Sequence, residues 1–439
     1  MAVSTADPGL LGKDATQVET PSLPRRIWLL VIAASVGGVS ALDRQVLTML
    51  VEPIRAEFSL SDQQLGLLTG LAFAVTYVIA AIPAARLADR WSRKKVVAGA
   101  LTLWSGMTIL CGAAASYWQL FFARVGVGLG EAGGSAPMQA LLADSFPRRQ
   151  RGLAMSVYLV GSSLGVGLGL AFTGWALVEF GWRWAFVFAG VPGLLLAPLI
   201  MLTVKERRAA RSAGLDGSDR QPPLGQTMKT LWHIRSLPLM MVGTTLMALI
   251  GMGLLAWIPA FFARTHGLEP LEVGTKLGAA LATGSFIGRL AGGPLAEYLG
   301  RWDLRFYLWT PILTGALAVM LVFAALNSTP NMAFTLLGFQ TFLTGLFAAP
   351  MLYIATTLAP DWARATSAAC AMFAINLVGL GAGPWLVGAL SDWLRPEFGE
   401  ESLRMALTFA LLVYIPAAIC FWLASRTFSD DHAAATQED

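Results

Sequence analysis

An all-α membrane protein, with twelve transmembrane helices in two pseudo-symmetric six-helix bundles and both termini cytoplasmic, is what the sequence predicts, and three observations carry it. Hydrophobic residues make up 56% of the chain and charged residues 13%, which excludes an ordinary soluble domain. Roughly twelve apolar runs of about 20 residues can be marked off, each long enough for a hydrocarbon core of about 30 Å. With no water there to satisfy the backbone, such runs must be helices. The chain also repeats itself across its middle, in residues and not only in hydropathy.

Residues 1–24 are polar and rich in small side chains, and they read as a loose tail without the basic-then-apolar pattern of a cleavable signal. The expected spans are 27–50, 63–86, 94–116, 119–144, 152–178 and 183–204 in an N-terminal bundle (25–204). A C-terminal bundle (237–426) holds 238–263, 274–298, 305–326, 332–358, 366–391 and 404–425, with 427–439 as a tail. Lys and Arg gather in alternate loops: Arg90, Arg93, Lys94 and Lys95 after span 2, Arg148, Arg149 and Arg151 after span 4, Arg301 and Arg305 after span 8. Basic loops stay in the cytoplasm, which places both termini there. Residues 205–236, with KERRAARSAGLDGSDRQPP, are a cytoplasmic linker by composition. Its end, LGQTMKTLWHIR, spaces Leu224, Met228, Leu231 and Trp232 as one helix face. Either a short helix on the membrane surface or an early start to span 7 accounts for it.

The repeat is explicit in two places. ARLADRWSRK after span 2 matches GPLAEYLGRW after span 8, pairing Asp89 with Glu297 and Arg93 with Arg301 at one spacing of 208 residues. PRRQRGLAMS from Pro147 matches PDWARATSAA from Pro360, which aligns Arg151 with Arg364.

A charge inside a span is costly and needs a partner or a job. Span 4 carries Arg124 and Glu131, seven residues apart and so on one helix face; span 1 carries Asp43 and Arg44. Helical rise puts the four at similar depth, and two acids can neutralise two arginines. They are therefore expected to form one polar site between spans 1 and 4. A neutralised brace is the bland account, although apolar packing would hold two helices at lower desolvation cost. The functional account has Arg44 and Arg124 binding an anionic head group while Asp43 and Glu131 exchange protons. Burial raises a carboxylate's pKa and a neighbouring arginine lowers it, so an anion arriving at the arginine frees the acid to protonate.

The second half differs. Gly251, Met252, Leu337 and Thr344 stand where the first half has its four charges, and spans 7, 10 and 11 hold none. A soft apolar wall of Met252, Phe339, Thr344, Phe347, Met372 and Asn376 is expected to face the charged one; ordinary packing is the competing account of its Met and Phe. At the basic end an acid followed four residues later by an arginine recurs in both halves, Asp89 with Arg93 and Glu297 with Arg301, more than simple topology charges require. Cys111, Cys370 and Cys420 lie in apolar spans and the histidines in or near loops, with no metal-ligand spacing. No nucleophile motif or nucleotide loop stands out, so neither an enzyme nor a cofactor is expected. The net charge of +4 resides in short loops and points to a lipid bilayer, not to nucleic acid.

These features resemble the major facilitator superfamily over essentially the whole chain. Its signature after span 2, G-x-L-x-D-R-x-G-R-K/R, is met by Leu87, Asp89, Arg90, Arg93 and Lys94, with Ala85 and Ser92 at the glycine positions. The span 4 pattern R-x-x-x-G-x-G is met by Arg124, Gly128 and Gly130, while Gly161, Gly165, Gly167 and Gly169 in span 5 lack the proline of the antiporter motif. ALDRQVLTML with RVGVGLGEAGGSAP resembles the Spinster branch in particular, although anion:proton symporters share the D-R and E-A pairs. The resemblance implies alternating access and proton-coupled secondary transport of a lysophospholipid or sphingoid phosphate. It also implies functional positions at Asp43, Arg124 and Glu131, and a cytoplasmic gate at Asp89, Arg93 and Asp144, with Glu297, Arg301 and Arg364 as its weaker second-half copy. A monomer in a bacterial inner membrane is expected. A symporter or exporter of a small organic anion or drug-like molecule, and a receptor that binds without translocating, stay open.

Overall fold

The computed structural model describes residues 22–206, 223–347, 351, 354 and 357–437; the expected tail up to residue 21 and the linker from 207 to 222 lie outside them. Those residues are helical with short connections. The first half is α1 (Leu23–Met49), α2 (Val51–Phe58), α3 (Asp62–Thr69), α4 (Leu71–Arg90), α5 (Arg93–Gly112), α6 (Tyr117–Glu131), α7 (Ser135–Ser145), α8 (Arg151–Phe180) and α9 (Trp182–Thr203). After the linker come α10 (Leu224–His233), α11 (Ser236–His266), α12 (Pro270–Gly300), α13 (Phe306–Leu326) and α14 (Pro330–Leu346). The chain closes with α15 (Arg364–Ala374), a π-helical run (Ile375–Ala382), α16 (Gly383–Phe398), α17 (Ser402–Ala410) and α18 (Tyr414–Gln437).

Local chemistry explains several boundaries. Pro24 presets the first turn of α1. Ser61 and Gln64 form a reciprocal capping box at the start of α3, and Ser92 and Ser116 cap α5 and α6. Span 63–86 proves to be two helices meeting at Gly70, where a Cβ would lie 2.2 Å from the Gly381 carbonyl oxygen of the other half. Span 119–144 breaks after Glu131, where Gly134 lies against the Trp104 ring, 2.7 Å from any Cβ placed on it. The linker ends in a helix of its own, α10, which buries Leu231 and exposes Trp232; it is not the start of α11. The expected tail from 427 continues α18 to Gln437.

Where twelve spans are expected, eight stretches among the described residues are long and apolar enough to cross a membrane. The difference is physical. The fourth span is broken, α12 is diluted by glycines, Lys276 and Arg289, and α14 is 17 residues long, with part of the expected span 332–358 outside the described residues. The last two spans count as one uninterrupted stretch.

Close backbone approach, which small residues permit in a membrane, sets the main packing. A Cβ on Gly161 would lie 2.2 Å from the Ala34 carbonyl oxygen and one on Gly165 2.3 Å from that of Gly38, so α8 presses on α1. Gly284, Gly288 and Gly292 do the same for α12 against α14.

Contacts between the two halves gather at the end opposite the basic loops. Gly278 meets Gly167, Gly274 meets Leu170, and Gly66 meets Pro384. Toward the basic end Gly152 and Gly293 have nothing within 4 Å of a Cβ, and Ile82, Leu290 and Phe373 are exposed. The halves thus part toward the basic loops. The repeat persists in side-chain detail: Arg151 Nε donates to the Phe146 carbonyl at 3.3 Å and Arg364 Nε to that of Ala359 at 3.4 Å, each five residues back.

Candidate substrate and proton site

The four charges of spans 1 and 4 come together as two adjacent pairs. Asp43 and Arg124 are each 2% exposed. Thr108 of α5 donates its hydroxyl to Asp43 Oδ1 at 2.5 Å, while Arg124 Nη1 stands 3.7 Å from Oδ2, too far for a hydrogen bond. The inner pair is therefore enclosed by three helices. Arg124 is thus almost wholly enclosed in this conformation, with Phe73 of α4 on another side.

The outer pair is Arg44 with Glu131. Arg44 Nε and Nη2 reach Glu131 Oε1 at 2.7 and 2.5 Å, and Ser40 Oγ donates to the same oxygen at 2.5 Å. Arg44 keeps 27% of its side chain exposed and Glu131 only 3%. Two aromatic rings bound the guanidinium, Phe73 at 5.3 Å and Tyr77 at 5.4 Å from their centroids. Phe73 also faces Arg124 at 5.5 Å, so one ring separates the two cations. The rotation of α1 decides the pairing: consecutive residues point about 100° apart, so Asp43 turns toward α5 and Arg44 toward the opening.

In the second half, Phe339 and Met372 are exposed and Met252, Thr344 and Asn376 half-buried. Phe347, partly buried, packs against the apolar cluster of Leu358 and Phe421. Asn376 lies on the π-helical run and donates to the Met372 carbonyl at 2.8 Å. Such runs recur at functional sites. Span 8 contributes a further charge: Arg289, exposed, donates to Ser163 of α8 at 2.9 Å, across the boundary between the halves.

At the basic end Arg93 binds Asp144, lies 3.8 Å from Asp89, and donates to the Ala140 carbonyl at 3.1 Å. Glu206, not anticipated, accepts from Ser92 Oγ and from the Arg93 amide, an anion on a helix N-terminus. Glu297 and Arg301 pair at 2.7 Å in full exposure. The first-half cluster is thus partly buried and its copy is a surface pair.

The opposite end holds a network that the sequence reading does not contain. Asp62, 0% exposed, receives Arg264 in a bidentate pair at 2.7 and 2.8 Å, and Ser391 at 2.7 Å. Arg264 also binds Glu52 at 2.7 Å. Asp392 accepts from the Asp62 and Gln63 amides at 3.1 and 2.7 Å, capping α3 from the other half.

Known proteins give this geometry a context. The sequence profile described as Major Facilitator Superfamily matches residues 33–325. An MFS-type efflux pump of Mycolicibacterium smegmatis is 33% identical, over 93% of this chain and 95% of its own length. The sphingosine-1-phosphate transporter SPNS2 of Xenopus tropicalis is 27% identical, over 90% of this chain and 80% of its own. Among solved structures, a bacterial homolog of the human lysosomal transporter Spinster, inward-facing and unoccupied, aligns with a TM-score of 0.83 at 27% identity, covering 94% of this chain and 99% of that one.

Proposed function

Because the chain belongs to the Major Facilitator Superfamily, as a Spinster-like transporter, we propose that it moves an amphipathic anion by alternating access, with protons exchanging at Asp43 and Glu131. It is a multi-pass integral membrane protein and not an enzyme. The substrate class we assign is a lysophospholipid or sphingoid phosphate. What carries the reading is the unequal partition of charge. The first half presents Arg44 with an acid and two aromatic rings behind it, while spans 7, 10 and 11 present only apolar and neutral side chains. A charged head with a long tail suits both walls; a small sugar or dicarboxylate leaves one of them unused.

On this reading the head group docks at Arg44. Its phosphate competes with Glu131 for the guanidinium, and the displaced carboxylate takes up a proton. Asp43 and Arg124, out of reach behind α5, sense the change through α1. Arg289 adds a second cation from the other half. On the same reading the basic end is cytoplasmic, the conformation is inward-open, and the Asp62–Arg264 network seals the far side. Closing the basic end brings Asp89, Arg93 and Asp144 toward Glu297, Arg301 and Arg364. Exposed pairs of that kind contribute about 1 kcal/mol or less each, enough to bias two states without locking either. A single copy suffices for this cycle.

The second reading, export of a small organic or drug-like anion, is favoured by the kinship with the mycobacterial efflux pump. Thermal unfolding of the purified protein separates the two. A long-chain lysophosphatidate raises the midpoint and glycerol phosphate does not, if the tail is recognised. Equal stabilisation by both would favour the small anion and overturn the lipid assignment.

A further inference from the structure

Most helical threonines of this chain return the hydroxyl to their own helix, and Thr108 does not. Thr102, in the same helix as Thr108, returns its hydroxyl to the Ala98 carbonyl four residues back at 2.9 Å, and Thr244 and Thr310 do likewise at 2.8 and 2.7 Å. That is the ordinary use of a helical threonine, because no other acceptor is at hand. Thr108, 0% exposed, instead donates across to α1, to Asp43 Oδ1 at 2.5 Å.

The consequence lies in what remains. Asp43 Oδ2 has no hydrogen-bond partner among the described residues, and neither have Nε and Nη1 of Arg124. The two sit 3.7 Å apart, as an ion pair without a hydrogen bond. The charged and titratable groups facing Asp43 are Arg124 and Glu131 of α6, Arg44 of α1 itself and Cys111 of α5. With Oδ1 held by a neutral donor, Oδ2 is the oxygen with its lone pairs free, and it is the one that Arg124 approaches.

We propose that Thr108 is a positioning residue that directs the transported proton to Oδ2 of Asp43, so that the proton and Arg124 compete for one oxygen. The proposal rests on the reading of Asp43 as a proton-exchanging group. A proton added at Oδ2 makes a new O–H bond and leaves the carboxyl neutral, while Thr108 keeps its hydrogen on Oδ1, now the carbonyl oxygen. Arg124 retains its charge and loses its counter-ion, which loosens α6 from α1. Without Thr108 the proton can settle on Oδ1, away from Arg124, and protonation no longer reports to α6.

Infrared difference spectroscopy of the full chain in lipid vesicles, titrated with pH, reads this directly and needs no substrate. In the parent protein a protonated carboxyl band is expected, and Asp43→Asn removes it. In Thr108→Val the proton is no longer confined to Oδ2, so the single band splits into two: one for the proton on Oδ2, with a carbonyl that has no donor, and one for the proton on Oδ1, with its carbonyl oxygen beside Arg124. The titration midpoint rises by about one pH unit, the scale of a lost charge-assisted hydrogen bond. Thr108→Ser, which keeps the hydroxyl, restores the single band and its midpoint. A Thr108→Val band with parental frequency and midpoint, still abolished by Asp43→Asn, would overturn the role of Thr108 alone. Glu131 keeps a titrating band of its own, which Glu131→Gln removes; if Asp43→Asn removes no band at all, the reading of Asp43 beneath the proposal is overturned.

Discussion

Arg44 and Arg124 are the same residue type on neighbouring helices, and burial separates their work. Arg124 and Asp43 are both 2% exposed, so removing one strands the other. Arg124→Ala is expected to cost about 3–5 kcal/mol, as for a broken buried pair, seen as a lowered melting midpoint and largely regained on adding Asp43→Asn. Arg44→Ala removes a guanidinium that is 27% exposed; it should abolish stabilisation by lysophosphatidate while moving the midpoint of the unliganded protein less. The four charges were legible in the sequence because an ion in an apolar run is conspicuous, and Arg289, within GSFIGRLAGG, carries the same signal. Their pairing was not legible, because it depends on how α1 is rotated against α5 and α6. Thr108 was invisible for a different reason: a threonine in a membrane helix ordinarily satisfies itself on its own backbone.

At the level of elements, α3 and α11 decide which end is shut. Asp62 at the first turn of α3 receives Arg264 from the last turn of α11, and Asp392 of α16 caps α3 across the boundary between halves. Asp62→Ala leaves Arg264 with Glu52 alone and should open this end. Spin labels on Ala56→Cys and Glu400→Cys, both exposed, would then report a longer distance in the variant; an unchanged distance would mean that apolar contacts such as Gly66 on Pro384 hold the closure by themselves. Helix positions were readable because hydrocarbon leaves the backbone no alternative. The breaks were not, since Gly70 and Gly134 are explained by what presses on them from other helices, and the π-helical run carrying Asn376 has no local sequence mark. The surface helix α10 was half-readable: its spacing was plain, its separation from α11 was not.

For the molecule as a whole, the repeat is the feature that sequence and structure share most closely, down to Arg151 and Arg364 each holding a carbonyl five residues back. The inter-half network escaped because its members, Glu52, Asp62, Arg264 and Asp392, are ordinary loop-flanking charges until the two halves meet. Charge is distributed unequally between halves that otherwise match, and the proposed substrate follows from that inequality. Flux of a labelled lysophospholipid into vesicles containing the protein, with and without an imposed pH gradient, tests this most directly. The account predicts uptake that the gradient drives, and that Glu131→Gln leaves insensitive to the gradient. Gradient-driven uptake of a short-chain organic anion with no lysophospholipid flux would contradict it.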